Sequence, residues 1–149
     1  MNMPQEDVDF KIINENWSYF KLKDGTIIRG RVVVRKIVKR GVDKLGYPLY
    51  DINYTNVFSA KVPEDLLREP GREPITLTKE DIECEFNYPN EVEVVKENIQ
   101  RYETEDGYII EIKLVPLKVL RLKKANRFGE PIYIIHSQVL VNVRRQEQN

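Results

Sequence analysis

Residues 9–28 read DFKIINENWSYFKLKDGTII, and they align without a gap on residues 91–110, EVEVVKENIQRYETEDGYII, at an offset of 82. The identical positions are Glu15/Glu97, Asn16/Asn98, Asp24/Asp106, Gly25/Gly107, Ile27/Ile109 and Ile28/Ile110. Further along, GYPLYDI at 46–52 aligns on GEPIYII at 129–135 with an offset of 83. A shift of one residue between matching blocks is typical of an insertion in a loop. The pattern predicts an internal duplication, so each repeat is interpreted separately.

Each repeat is predicted to consist of β-strands joined by tight turns. In the first repeat, an Asp-Gly pair at 24–25 supplies the positive φ that a two-residue hairpin needs. The long β-branched segment at 27–38 follows, and Gly30 within it predicts a bend or bulge. After a loop at the hairpin tip, the pattern predicts strands at 49–53 and 57–62, separated by a turn at 54–56. The second repeat is expected to follow the same plan, with a tip at 123–129 and a turn at 136–138.

The stretch LKDGTIIRGRV at 22–32 resembles the first conserved motif of Sm-like proteins. In that family a turn glycine is followed five residues later by a glycine at the bend of the second strand, and here these are Gly25 and Gly30. INYTNV at 52–57 and IHSQVL at 135–140 lie where the family has its short second motif. The resemblance implies a small β-barrel. It does not imply uridine recognition of the Sm type, because Lys36 stands where the family has an aspartate.

These patterns predict an all-β protein: an internally duplicated small β-barrel, either two SH3-like or Sm-like repeats or one fused barrel, with a short, partly helical connector. The predicted segments are a first repeat at 1–62, an acidic, proline-containing connector at 63–90, a second repeat at 91–143 and a flexible tail at 144–149. In the connector, Pro63 and Thr78 each predict the start of a helical turn, and residues 82–86 fit either helix or strand. Because repeats of roughly 55 residues are near the lower limit for independent folding, we expect the halves to share a core or to pack tightly.

Charge is strongly segregated although the chain has 24 basic and 24 acidic residues. Residues 20–50 carry a net charge of +7, residues 112–149 carry +6, and residues 51–111 between them carry −10. Such segregation bears on partners more than on fold.

Two basic hairpins form the candidate nucleic-acid-binding site, because lysine and arginine that neutralise phosphates supply affinity without reading sequence. Their cations are Arg35, Lys36, Lys39, Arg40 and Lys44 in the first repeat and Lys118, Arg121, Lys123, Lys124 and Arg127 in the second. The nearby aromatic residues, which can stack on unpaired bases, are Tyr47, Tyr50, Phe128 and Tyr133. We therefore expect a non-enzymatic protein that binds RNA or single-stranded DNA.

The same charge pattern has two other interpretations. The basic tips of one molecule can meet the acidic connector of another, which predicts a homo-oligomer or a protein-interaction scaffold. Alternatively, the acidic connector folds back over the basic strands of its own chain. The sequence does not choose among these three.

No pattern in the sequence predicts an enzyme, a cofactor or a metal site. His136 and Cys84 are each the only residue of their type, and Asp24 and Asp106 are explained by their Asp-Gly turns. No apolar run is long enough to span a membrane. The first ten residues lack the pattern of a signal peptide, which predicts a cytoplasmic protein. The Lys/Glu- and Ile/Val-rich composition is compatible with a thermophile.

Overall fold

The computed structural model describes residues 5–72 and 76–147 and confirms an all-β fold. The strands are β1 (Glu6–Asp7), β2 (Phe10–Asn14), β3 (Ser18–Leu22), β4 (Ile27–Val42), β5 (Pro48–Lys61), β6 (Ile82–Asn87), β7 (Val92–Lys96), β8 (Gln100–Thr104), β9 (Tyr108–Ala125) and β10 (Pro131–Arg145). Helical structure in the described residues is limited to two 3-10 turns, Glu64–Leu66 and Lys79–Asp81. Neither turn has the length or the apolar composition needed to cross a membrane.

The described residues form two antiparallel sheets of five strands each. In the first sheet, β4 pairs with β5 along one side, and on its other side with β3 and then β1; β7 extends the sheet beyond β3. In the second sheet, β9 pairs with β10 on one side and with β8 and β6 on the other; β2 extends the sheet beyond β8. The strand β10 continues through Arg145, so it includes the first two residues of the segment predicted as a tail.

The two sheets use corresponding residue pairs. Ser18↔Gly30 in the β3–β4 ladder corresponds to Gln100↔Ile112 in the β8–β9 ladder at an offset of 82. In the long hairpins, Lys36↔Asn53 corresponds to Lys118↔His136. Both hairpins have a bulge at the equivalent place, Arg35 in β4 and Leu117 in β9. The descent of both halves from one duplicated unit stays a prediction.

One short strand of each half pairs with the sheet of the other half. The strand β2 lies beside β8, with Phe10 opposite Thr104, and β7 lies beside β3, with Val92 opposite Leu22. These two pairings also correspond at the offset of 82, so the exchange is reciprocal. The sequence left open whether the halves pack side by side or interleave strands, and the structure has them interleaved.

Each hydrophobic core combines residues from both halves, because the sheets face each other and each long hairpin reaches across. One core packs β4 against β8 and β9, and its buried residues are Val8, Val32, Val34, Ile37, Tyr102, Ile110, Ile112 and Leu114. The other packs β3 and β4 against β6, β7 and β9, and its buried residues are Phe20, Leu22, Ile28, Phe86, Val92 and Val119. Burial of apolar side chains at these two places is the main stabilising contribution to the fold.

The described strands form two sheets and no closed barrel, so the predicted barrel is not confirmed. The turns predicted at 54–56 and 136–138 are wrong, because β5 and β10 run through these residues without a break. The bulge lies instead on the opposite strand, where it bends the hairpin while the ladder continues.

Gly30 has a different role from the predicted bend. The irregularities of β4 lie after Val34 and after Lys39, not at Gly30. A Cβ added at Gly30 would lie 2.7 Å from the Phe58 ring and 2.9 Å from the Leu114 side chain. Gly30 therefore allows the two sheets to approach closely.

The first Asp-Gly turn differs in one detail from the predicted two-residue hairpin. The backbone of Leu22 closes a three-residue loop, since its N–H donates to the Thr26 carbonyl and its carbonyl accepts from the Gly25 N–H.

The acidic connector packs on the second hairpin. Its 3-10 turns begin after Pro63 and Thr78, as the sequence predicts. The backbone N–H groups of Arg68 and Gly71 donate to carbonyls at the tip of the β9–β10 hairpin, at 2.8 and 2.9 Å. Residues 82–86, which fit helix or strand, belong to β6. Residues 73–75 lie outside the described part.

A side chain replaces a strand along part of β4. Between Gly30, the last partner of β3, and Val38, a partner of β1, the edge of β4 has no neighbouring strand. Gln100 from the second sheet fills this gap: its amide accepts from the N–H of Val32 at 2.8 Å and donates to its carbonyl at 2.6 Å. Glu15 accepts from the N–H of Val34 at 3.2 Å.

The equivalent gap in the second sheet needs fewer partners. Position 116, which corresponds to Val34, is a proline and has no N–H to satisfy. In the first sheet, side chains make the hydrogen bonds of the unpaired backbone groups of β4. In the second sheet, a proline at the equivalent place leaves one backbone donor fewer that needs a partner.

We expect Gln100→Leu to lower the free energy of unfolding by at least about 2 kcal/mol, because the buried N–H and C=O of Val32 lose their partner and each such loss costs about 1–3 kcal/mol. Gln138→Leu on exposed β10 is the control and should change stability by less than about 0.5 kcal/mol. Urea unfolding of both variants measures the difference. Equal stabilities would show that Gln100 does not support β4.

We expect residues 1–72 and 73–149, produced as separate chains, not to fold as monomers, because each core and each exchanged strand needs the other half. Mixing the two should restore a folded complex with one copy of each. Circular dichroism and sedimentation measure both results. A half that unfolds cooperatively as a monomer would contradict the interleaved arrangement.

Candidate nucleic-acid interface

The ten predicted cations lie on two different sheets, five on each. Those of the first hairpin are on β4 and its tip, and those of the second are on β9 and its tip. Six of the ten form ion pairs with carboxylates. The structure therefore divides the predicted site into neutralised and exposed parts.

The basic strand of the second hairpin is largely neutralised by the acidic connector. Lys118 pairs with Glu85 at 3.3 Å, and Lys124 pairs with Asp81 at 3.5 Å. Arg121 pairs with Glu83 at 3.1 Å. This is the third interpretation of the charge pattern, in which the connector folds over its own strand.

Glu83 is held ionised in this contact. Burial alone would raise the pKa of Glu83, but hydrogen bonds from Arg68 and Arg121 outweigh it and lower the pKa.

The other two predicted cations of the second hairpin, Lys123 and Arg127, are exposed. The guanidinium of Arg127 lies over the ring of Phe128, at 4.8 Å from the ring centre.

The first hairpin has as many ion-paired cations as the second. Three of its five predicted cations meet carboxylates, in the pairs Lys36–Asp7 at 3.4 Å, Lys39–Asp106 at 3.9 Å and Arg40–Asp51 at 2.6 Å. Arg35 is the bulged residue, and its guanidinium donates to Asn53 at 2.7 and 3.0 Å and also to Thr55. Lys44 is exposed in the tip loop.

A group of cations outside the prediction lies on the solvent-facing side of the first sheet. We call this side the basic face, and its cations are Lys21, Arg29, Arg31, Lys61 and Lys96. Within residues 5–72 and 76–147, none of the five lies in an ion pair; Glu93, the cross-strand neighbour of Lys21, is not within ion-pair distance of it. Arg35 lies further along the same face.

Trp17 contacts two cations of the basic face. The guanidinium groups of Arg29 and Arg31 lie over its ring, at 4.5 and 4.7 Å from the ring centre. Alternation along β4 puts both arginines on the side of the sheet opposite the core. The Nε of Arg31 is buried and has no hydrogen-bond partner. These contacts order two cations on the outer side of the sheet.

A depression of about 310 Å³ lies beside Arg29 on the same face. Three neighbouring strands line it, with Tyr19 from β3, Ile27 and Arg29 from β4, and Ser59 and Lys61 from β5. Tyr19 is the cross-strand neighbour of Arg29, and Arg29 is the neighbour of Ser59. The depression therefore combines one aromatic ring, two cations and a hydroxyl.

The second sheet has different residues at the equivalent positions. Those that correspond to the five cations of the basic face are Glu103, Glu111, Lys113, Arg144 and Asn14. Glu111, in place of Arg29, pairs with Arg101 at 3.1 Å and with Arg144 at 3.2 Å. Lys113 pairs with Glu97 at 3.4 Å.

Glu111 is an ionised acceptor in this cluster. Burial alone would raise its pKa, but hydrogen bonds from Asn142, Arg101 and Arg144 lower the pKa below the usual range. The cations beside it are therefore compensated, which those of the basic face are not.

Each Asp-Gly turn also ties the two halves together. Asp24 accepts from Arg121 at 3.0 Å and from the Tyr133 hydroxyl at 2.9 Å, both in the other half. Asp106 accepts from the Tyr50 hydroxyl at 2.7 and 2.8 Å. Tyr50 and Tyr133, predicted as base-stacking residues, thus have hydroxyls engaged in corresponding interhalf contacts.

His136 and Cys84, each the only residue of its type in the sequence, lie on different strands of the second sheet. His136 is exposed on β10. Cys84 is half-buried on β6, and burial raises the pKa of its thiol, which disfavours the reactive thiolate. The described ranges contain no group of three or more histidine, cysteine or acidic residues arranged to hold a metal ion.

Comparison with known proteins finds no matching family model, no matching curated protein and no matching solved structure.

The residue pattern that would have indicated the basic face was present in the sequence as the alternation of Arg29, Arg31 and Arg35 on one strand. The prediction concentrated on the hairpin tips instead, where charge is densest.

We expect Asp24 to contribute stability that depends on pH. Burial alone would raise the pKa of Asp24, but the hydrogen bonds from the Thr26 N–H, Tyr133 and Arg121 outweigh it and lower the pKa. Because the folded pKa lies below the unfolded value of about 3.9, this stability is present above about pH 4 and is lost as the pH falls through the folded pKa. Urea unfolding between pH 7 and pH 2 measures the loss.

Asp24→Asn should lower the free energy of unfolding at pH 7 by about 1.5–3 kcal/mol, the usual range for a hydrogen bond to a charged group. It should also make the pH dependence below pH 5 shallower. Asp65→Asn, at an exposed position of the connector, is the control. The same pH profile in both variants would exclude Asp24 as the cause.

Proposed function

We propose that the protein binds RNA or single-stranded DNA, and that the phosphate backbone lies on the basic face. Phosphates gain affinity from cations whose charge is not already compensated by the protein. Lys21, Arg29, Arg31, Lys61 and Lys96 meet this condition within the described residues. Trp17 and Tyr19 between them supply aromatic surface of the kind that single strands use.

The single observation that carries the proposal is the contrast between Arg29 and Glu111. These residues occupy the same position in the two sheets, opposite Tyr19 and Arg101 respectively. Arg29 leaves its neighbours uncompensated, and Glu111 collects two arginines. If exposed cations only kept the protein soluble, unpaired cations and ion-paired cations would suit both faces equally well. The contrast therefore favours a specific use of the first sheet.

The whole chain has no net charge, so the attraction for phosphates is expected to come from the basic face alone. The affinity should depend on salt, because phosphate binding releases counterions. For single strands the logarithm of the binding constant falls with the logarithm of salt concentration with a slope of about −0.7 for each phosphate contacted. Three to five contacts on the basic face correspond to a slope of about −2 to −3.5.

The predicted hairpin cations contribute unequally to this proposal. Arg35 lies on the basic face and belongs to the interface. Lys118, Arg121 and Lys124 are left out, since carboxylates of the same chain already pair with them. The same pairs weaken the alternative of self-assembly, because they use connector carboxylates that would have met a second molecule.

We expect Arg31→Glu to weaken binding of a single-stranded oligonucleotide by at least about tenfold and to reduce the salt slope by about 0.7 or more. Lys113→Glu is the matched control, because it makes the same change of charge at the equivalent position of the second sheet. Its effect should be less than about twofold. Fluorescence anisotropy at several salt concentrations measures both.

Equal effects of the two substitutions would mean that the oligonucleotide responds to overall charge and not to the basic face. Absence of binding at low salt would reject the nucleic-acid proposal. Sedimentation in the same buffers tests the alternative, since a concentration-dependent oligomer together with no nucleic-acid binding would favour a self-assembly role.

A further inference from the structure

We propose that the depression between Tyr19, Arg29 and Lys61 is a subsite for one unpaired nucleotide, with the base against Tyr19 and the phosphate between Arg29 and Lys61. This inference rests on the proposed function and adds to it the form of the ligand. It predicts that the protein discriminates single strands from duplexes. The lining consists of Tyr19, Ile27, Arg29, Ser59 and Lys61.

The dimensions of the depression fit one nucleotide. Neighbouring strands are about 4.8 Å apart, so Tyr19 on β3 and Ser59 on β5 are separated by about 10 Å across β4. Ile27 lies two residues before Arg29, which is about 7 Å along the strand. The volume of about 310 Å³ is at the lower end of the range of small-ligand sites, about 300–1,000 Å³.

The polar groups of the depression suit a phosphate and a sugar. Arg29 presents a planar fork of N–H donors, and its contact with the Trp17 ring holds the guanidinium beside the depression. Lys61 is exposed and adds a second positive charge from the next row of the sheet. The Ser59 hydroxyl both donates and accepts, as a ribose hydroxyl or a base edge requires.

Only an unpaired base can use the apolar part of the depression. Tyr19 and Ile27 offer a ring and an aliphatic side chain side by side, on which the face of a base can stack. In a duplex the faces of the bases are already stacked on one another and are not available. A duplex would therefore meet only the cations and would lose the stacking contribution.

The protein carries its own reporter for this site. Trp17 is the only tryptophan of the chain, and its ring contacts the guanidinium of Arg29 at 4.5 Å. A phosphate bound to Arg29 changes the environment of that ring. Trp17 fluorescence therefore reports phosphate binding at Arg29 and Arg31, whereas anisotropy of a labelled oligonucleotide measures binding anywhere on the protein.

The experiment titrates the full-length protein with a single-stranded oligonucleotide, a duplex of the same length, a nucleoside monophosphate and inorganic phosphate. Tyr19→Leu should weaken binding of the single strand by about five- to 100-fold while leaving the salt slope unchanged, because it removes stacking and no charge. Lys61→Gln should reduce the slope by about 0.7. Phe128→Leu, at the exposed tip of the second hairpin, is the aromatic control and should have no effect.

The outcomes separate the two proposals. A single strand preferred at least about tenfold over the duplex, saturable Trp17 fluorescence with the nucleoside monophosphate, and sensitivity to Tyr19→Leu support the subsite. Single-strand binding that is sensitive to Arg31→Glu but not to Tyr19→Leu, with equal affinity for the duplex, overturns the subsite and retains the proposed function. Sensitivity to Phe128→Leu alone also overturns it. Absence of oligonucleotide binding overturns both, and unchanged unfolding midpoints confirm that the variants are folded.

Discussion

The reciprocal pairing of β2 with β8 and of β7 with β3 is the constraint on which the rest of the structure depends. It joins the two sheets through strands that belong to opposite halves of the chain, so neither half completes a sheet alone. Both hydrophobic cores and both contacts between an Asp-Gly turn and a tyrosine then cross between halves. Two broad open faces remain, and one of them is the basic face.

The two halves share backbone geometry but differ wherever a side chain meets solvent or a gap. At one edge, Gln100 and Glu15 satisfy the backbone of β4, while Pro116 in β9 has one donor fewer to satisfy. Gly30 makes room for Phe58 and Leu114, while its counterpart Ile112 is itself a buried core residue. On the outer faces, an arginine corresponds to a glutamate. The pairing pattern tolerates these differences because backbone hydrogen bonds do not depend on which side chain points outward.

Much of the local structure could be predicted from particular residues. The Asp-Gly pairs give the turns, Pro48 begins β5, and Pro63 and Thr78 begin the 3-10 turns. The errors have a common cause, which is that the residues involved respond to contacts distant in sequence. The polar runs at 54–56 and 136–138 predict turns, but both remain in strands because the neighbouring strand provides the bulge. In the sequence, Lys118 and Lys124 are candidates for binding phosphates. In the fold, β6 and the 3-10 turn before it place carboxylates beside both lysines.

The sequence by itself determined the all-β class, the offsets that relate the two halves, and the segregation of charge, because turn residues, strand alternation and composition act over a few neighbours. Only the tertiary structure decided which half supplies each strand, which cations meet a carboxylate and which side of the sheet remains basic. The physical reason is that these outcomes depend on distances between residues far apart in the sequence, such as Tyr19 and Lys96 or Arg121 and Asp24. Local preference does not encode such distances, and they appear only when the sheets pack.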